Sequence, residues 1–140
     1  LGTCMRKIEE IIIHCTDTFA DMDVDIELIR KWHVEERGWS DVGYHYLIRR
    51  DGSVETGRDI HRPGAHAVGH NKHSIGLAIT GGKARGDESA TNFTQAQWNS
   101  LEDFVVSLVE QFPDASVIGH NNVSKKACPT FDVKKWWNEL

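Results

Sequence analysis

The sequence predicts a single-domain α/β fold, with a central mixed β-sheet flanked by helices. Three observations predict it. The β-branched apolar runs at 11–13 and 74–80 have the length and composition of buried strands. Segment 94–112 carries apolar residues at three- and four-residue steps, the period of a helix buried along one side. The 140 residues suffice for one domain. A domain of that size buries roughly 68% of its unfolded surface and needs no disulfide or metal merely to fold.

The elements follow in order. Residues 8–14 read as a first strand, ended by His14 and the polar Thr16-Asp17-Thr18. From 25 to 37 the pattern is helical: Ile26, Ile29 and His33 share a face, Leu28 and Trp32 lie beside it, and Gly38 is a stop signal. Residues 44–50 read as a strand, and Asp51-Gly52 as a hairpin turn into 53–55. The stretch 57–73 reads as a long loop holding Gly57, Pro63, Gly64, Gly69 and four histidines, His61, His66, His70 and His73. Irregular segments of that length are uncommon in small domains and often functional. Residues 74–80 form a second buried strand closed by Gly81-Gly82, and 83–92 a polar surface loop. Thr94 and Gln97 form a capping box that opens the clearest helix, with Trp98, Leu101, Val105, Leu108, Val109 and Phe112 in period and Pro113 as its stop. Residues 116–119 read as a short strand ending at His120. Asp132 caps a last helix carrying Val133, Trp136, Trp137 and Leu140.

Composition excludes several classes. Sixteen Lys and Arg against 21 Asp and Glu give a net charge of −5, so a nucleic-acid partner is not expected. No apolar run approaches the roughly 20 residues a bilayer demands, so no membrane partner is expected either. The three cysteines, Cys4, Cys15 and Cys128, form no C-x-x-C pair, which argues against a disulfide scaffold. Cys4 and Cys15 read as small buried hydrophobes. The start, Leu1 to Met5, lacks the basic and apolar regions of a signal peptide, so synthesis in the cytoplasm is expected. Eight histidines remain to be explained.

His14 and His120 each end an apolar strand. In open α/β sheets, ligands bind beyond the carboxyl ends of strands. If the two strands are parallel neighbours, both imidazoles point into one crevice. Cys128 follows His120 by eight residues, within reach of a loop that folds back. Two His and one Cys make a three-ligand zinc set with a fourth position for water. Zinc there lowers the pKa of water towards about 7 and polarises a carbonyl. Lys126, two residues before the thiol, is expected to favour the thiolate. The competing reading is a buried strand-end His, a surface His and a structural Cys.

Several ordered strings then carry a resemblance. They are I-I-I-H-C-T at 11–16, I-R-K-W-H at 29–33, G-W-S-D-V-G-Y-H-Y-L-I-R-R-D-G at 38–52 and G-x-H-x-x-G-x-N-x-x-S-I-G at 64–76. Further on stand N-F-T-x-A-Q at 92–97, G-H at 119–120, K-A-C-P-x-F-D at 126–132 and W-W at 136–137. From about residue 8 onward the chain resembles the zinc-dependent N-acetylmuramoyl-L-alanine amidases of the type 2 family, which include amidase-type phage lysozymes and have the peptidoglycan recognition proteins as relatives. The resemblance implies their fold, with 1–140 as a single catalytic domain. It implies one Zn2+ per chain, held by His14, His120 and Cys128, and catalytic roles for Tyr44 and Lys126. Tyr44 would hydrogen-bond the attacking water or the developing oxyanion, and Lys126 would stabilise that oxyanion. Related cytoplasmic recycling amidases use Asp as the third ligand, so Cys128 places this chain on the side of the phage lysozymes and the recognition proteins.

His66 and Asn71 match groove positions of the family and are expected to bind substrate, as is Thr130 just after Cys128-Pro129. Asn122 and Lys125 depart from the family pattern, which often has an acidic residue and Pro there. The other histidines read as structural: His33 in the core, His45 on the strand face opposite Tyr44, and His61, His70 and His73 as solvated loop residues. The implied reaction is hydrolysis of the amide between N-acetylmuramic acid and L-alanine in peptidoglycan, for lysis or remodelling of the wall by a phage, prophage or bacterial enzyme. The expected partner is peptidoglycan or a muropeptide, and a monomer is expected. Alternatives are a recognition module that binds without cutting, a recycling amidase, and a structural zinc site, which would require a fourth protein ligand.

Overall fold

Three consecutive isoleucines, Ile11 to Ile13, lie inside β1 (Glu10–Cys15), and all three are fully buried. Alternation along the strand sends Ile11, Ile13 and Cys15 to one face and Ile12 to the other, where His14 also projects. The computed structural model describes residues 5–140; the readings made for Cys4 and the first four residues lie outside the described residues.

The main sheet also contains β3 (Tyr46–Ile48), β4 (Val54–Thr56), β5 (Ser74–Ile79) and β7 (Ser116–Gly119), in the order β4-β3-β5-β1-β7. β1 is parallel to both β5 and β7, β3 is parallel to β5, and β4 is antiparallel at the edge, so the sheet is mixed as expected. β1 and β5 are covered on both faces, which is why they read as unbroken apolar runs.

One face packs on α2 (Gln95–Gln111) and α3 (Val133–Asn138) through Leu101, Val105, Leu108 and Val133. The capping box at Thr94 and Gln97 is formed. Gln97 is itself buried, and its Nε2 donates to the Thr80 carbonyl at 2.9 Å. Asp132 caps α3 through the Lys135 N–H. The other face packs on α1 (Ile26–Lys31) through Ile26, Ile29, Val42 and Leu47. Asp25 caps α1, and Gly38 ends the helical segment at φ +71°. The last turns of the expected helix are a π turn, Trp32–Glu36, in which His33 is buried. Such local widenings concentrate at functional sites.

Three readings need correction. The strand expected over 44–50 is only Tyr46–Ile48, so Tyr44 and His45 precede regular strand. Alternation therefore does not separate them: Tyr44 lies 5.1 Å from His14 and His45 5.9 Å from His66, between ring centroids, on the same side of the sheet. A second, two-stranded sheet of β2 (Thr18–Phe19) and β6 (Gly82–Lys83) was not foreseen, because two residues carry no period. It brings Gly82, at φ +91°, so near Cys15 that a Cβ would stand 2.5 Å from the Cys15 Sγ.

The loop 57–73 is loop-like as expected, apart from a 3₁₀ turn at Asn71–His73. It is pinned by a buried guanidinium: Arg58 Nε donates to the Val42 carbonyl and Nη1 to the Pro63 carbonyl, both at 3.0 Å. A buried charged donor is tolerated when its N–H groups are satisfied, and here it fixes the loop that carries His66.

Candidate active site

The parallel pairing of β1 with β7 sets Ile13 opposite Gly119. The next residue on each strand is a histidine, and the His14 and His120 rings stand 4.5 Å apart between centroids. Cys128 returns on the loop after a 3₁₀ turn, His120–Asn122. Its sulfur accepts a hydrogen bond from the Cys15 backbone N–H at 3.1 Å. One donor atom from each of His14, His120 and Cys128 lies within 4.8 Å of the other two. Among the described residues this is the one group of three or more His, Cys, Asp or Glu side chains so arranged. Two imidazoles and one thiol suit zinc with an open fourth position.

The loop between His120 and Cys128 is held by amides. Asn122 Oδ1 accepts the Gly119 N–H at 2.8 Å, and Asn121 Nδ2 donates to the Phe131 carbonyl at 3.1 Å. An acidic residue at 122 would accept the same bond, so the Asn122 departure leaves this support in place. Lys125 is exposed.

The electrostatics favour neutral imidazoles at the site. Burial, then the neighbouring His66, His120 and Lys126, hold His14 well below the ordinary imidazole value of 6.5, so it is neutral. Burial and Lys126 lower His120 as well. Lys126 favours the Cys128 thiolate as expected, but hydrogen bonding with Cys15 and burial push the thiol up and outweigh the lysine. A metal cation would have to displace that proton.

A cavity of about 1080 Å³ opens at this end of the sheet and is lined by all eight predicted site residues: His14, Tyr44, His66, Asn71, His120, Lys126, Cys128 and Thr130. Burial raises the Tyr44 phenol, so it is protonated and can donate. His66 Nδ1 lies 2.8 Å from His14 Nε2, and its other ring nitrogen lies 3.2 Å from Ser74 Oγ. Both ring nitrogens of His66, a residue expected to bind substrate, are thus engaged within the protein. Asn71 Oδ1 accepts the N–H groups of His66 and Ala67, each at 3.0 Å. The Thr130 hydroxyl meets that of Thr91 at 3.1 Å. Sequence reasoning missed Asp17, Arg37 and Lys83, which also line the cavity and which no motif marks. It also missed Ser74, whose only signal is its place at the head of β5.

The remaining histidines divide largely as expected. His33 Nδ1 accepts the Gly43 N–H at 2.9 Å, and burial lowers its pKa to about 4. His45 is fully buried: Nδ1 accepts from the Gly76 N–H at 3.0 Å, Nε2 donates to the Arg62 carbonyl at 2.8 Å, and burial lowers its pKa to about 4. His61 is exposed beside Asp59. His73 is exposed near the Lys7 carbonyl. His70 is half-buried against Glu10 at 2.7 Å rather than simply solvated.

The N-acetylmuramoyl-L-alanine amidase family matches residues 5–131. The chain belongs to this family. The amidase is similar to the endolysin of Klebsiella phage KP32, 47% identical over 141 residues, covering 99% of this chain and 92% of the relative. It is also similar to the endolysin of Escherichia phage T7, 45% identical over 137 residues, covering 96% and 90%. Among solved structures, the endolysin N-acetylmuramoyl-L-alanine amidase LysCS of Clostridium intestinale superimposes with a TM-score of 0.78 at 27% identity, over 95% of this amidase and 85% of that chain. The fold is therefore that of the phage amidases, as the motifs implied. In the described residues of this amidase, no helix is long and apolar enough to cross a membrane.

Proposed function

We propose that this amidase is an endolysin that hydrolyses the bond between the lactyl group of N-acetylmuramic acid and L-alanine in peptidoglycan, using one zinc ion held by His14, His120 and Cys128. The observation that carries the reading is the convergence of these three donors in one cavity at the carboxyl end of β1. Endolysins are its relatives at 43–47% identity, which supports the cell wall as the place of action. The proposed catalytic unit is the single domain 1–140, acting as a monomer.

Unactivated amides resist water, so the site must supply a nucleophile and a sink for negative charge. A zinc ion at this donor set supplies an activated water and polarises the scissile carbonyl. The protein's own groups do the rest. The Cys15 N–H supports the Cys128 sulfur as it becomes a thiolate. Tyr44, protonated because it is buried, donates towards the oxygen that turns negative as the carbonyl carbon becomes tetrahedral. Lys126 brings positive charge to the same oxygen, a contribution on the order of 10²–10³ in rate. Asn71 and Thr130 line the cavity as substrate contacts. Clearing of a suspension of purified sacculi tests the reading. Zinc-loaded protein clears it, chelator-stripped protein does not, and added zinc restores the activity. Binding to sacculi without clearing would overturn the reading in favour of a recognition module.

A further inference from the structure

We infer that His66, braced by Ser74, is a positioning residue that sets which nitrogen of His14 faces the metal. The inference rests on the proposed zinc site. His14 Nε2 is occupied by His66 Nδ1 at 2.8 Å, which leaves His14 Nδ1 for a cation. To coordinate through Nδ1 while neutral, His14 must carry its hydrogen on Nε2 and donate it to His66 Nδ1. His66 then carries its own hydrogen on Nε2, which donates to Ser74 Oγ at 3.2 Å. The three side chains form a one-way chain of donors that admits one tautomer at each ring. Metal-bound histidines ordinarily have such an outer acceptor, which orients the ring and raises its basicity.

The surroundings are built to hold His66 there. The residue is 9% exposed, and its ring meets that of His14 edge-on at 87°. Glycines 64 and 76 flank it: a Cβ on either would stand 2.6 Å from the His66 Cδ2. The absence of side chains at both positions leaves the room that the His66 ring occupies. Asn71 fixes the backbone there, through the His66 and Ala67 N–H groups. The strand-to-loop contact is long-range, with His14 and His66 52 positions apart in the chain. It therefore exists only in the folded domain and preorganises the site before metal arrives.

The test measures zinc affinity of the full chain by competition with a chromophoric chelator, for wild type, His66→Ala, His66→Asn, Ser74→Ala and Cys128→Ser. Thermal unfolding without metal is recorded for each. His66→Ala is expected to bind zinc about 10–100-fold more weakly. His66→Asn, whose side-chain oxygen can take the place of Nδ1 as acceptor, is expected to regain most of that loss. Ser74→Ala, which keeps His66 but removes its brace, is expected to weaken zinc several-fold and stands in if His66→Ala fails to fold. Zinc affinity within about twofold of wild type in His66→Ala and Ser74→Ala, with Cys128→Ser impaired, overturns the inference and leaves the zinc site standing. Wild-type affinity in Cys128→Ser overturns the zinc site itself.

Discussion

His14 and His120 are neighbours because β1 and β7 run parallel with Ile13 opposite Gly119, so the next residue of each strand turns into the same crevice. The pair is a product of register. Their sulfur partner is delivered separately, by a loop tied to β1 through the Cys15 N–H. Replacing Cys128 by Ser keeps the loop and removes the soft donor. Zinc affinity should fall by more than the roughly 10–100-fold that loss of an outer partner costs. Hydrolysis at limiting zinc should fall with it, as read by metal analysis after dialysis and by sacculus clearing.

Tyr44 and Lys126 are assigned to the charge that develops during reaction, and neither is a metal donor. Tyr44→Phe and Lys126→Ala should each lower kcat, for Lys126 by about 10²–10³-fold. Both should keep wild-type zinc content. A variant that lost zinc and activity together would place that residue in the metal site instead.

Stability should decline in mild acid. His33 and His45 are buried as neutral rings with pKa values lowered to about 4, against 6.5 in the unfolded chain. Between those limits the unfolded state holds the extra protons, so stability rises with pH through the window and is lost as pH falls from about 6.5 to about 4. Each ring contributes up to about 1.4 kcal/mol per pH unit. His14, His66 and His120, also lowered, act in the same direction in metal-free protein. Urea midpoints of chelator-treated protein at pH 7, 6 and 5 check the slope. A flat profile would contradict the burial of these rings in neutral form.

Gly82 joins the small sheet to the site. Gly82→Ala places a Cβ at 2.5 Å from Cys15 Sγ on a backbone at φ +91°. The expected loss is about 2 kcal/mol in unfolding free energy. Because Cys15 supports Cys128, zinc affinity should fall as well. Gly38→Ala is the control: it has a similar φ of +71° but open space around its Cβ, and should lose stability without losing zinc.

The fold was largely legible because its main elements carry strong periodic signals. Ile11-Ile12-Ile13 and 74–80 could hardly be other than buried strands, and Thr94 with Gln97 marks the start of α2 to the residue. The proposed metal donors were legible because strand ends are where parallel sheets place ligands and because Cys128 follows His120 within reach of a returning loop; the resemblance implies the same trio. What escaped depends on contacts between distant segments. The pairing of His66 with His14 arises from a loop return 52 residues away, so the sequence motif showed a histidine in the groove but not what it faces. Alternation does not give the His45 face, because Tyr44 and His45 precede the strand that begins at Tyr46. The dominance of Cys15 over Lys126 in setting the Cys128 thiol also needs coordinates, since burial and hydrogen bonding are not written in spacing.

The most direct test of the central claim is mass spectrometry of the products released from purified sacculi by zinc-loaded protein. The account predicts stem peptides with a free L-alanine amino terminus and glycan strands whose N-acetylmuramic acid carries a free lactyl carboxylate, with neither product formed after chelation. Cleavage between sugars or within the stem peptide, or amide cleavage that persists undiminished without metal, would contradict it.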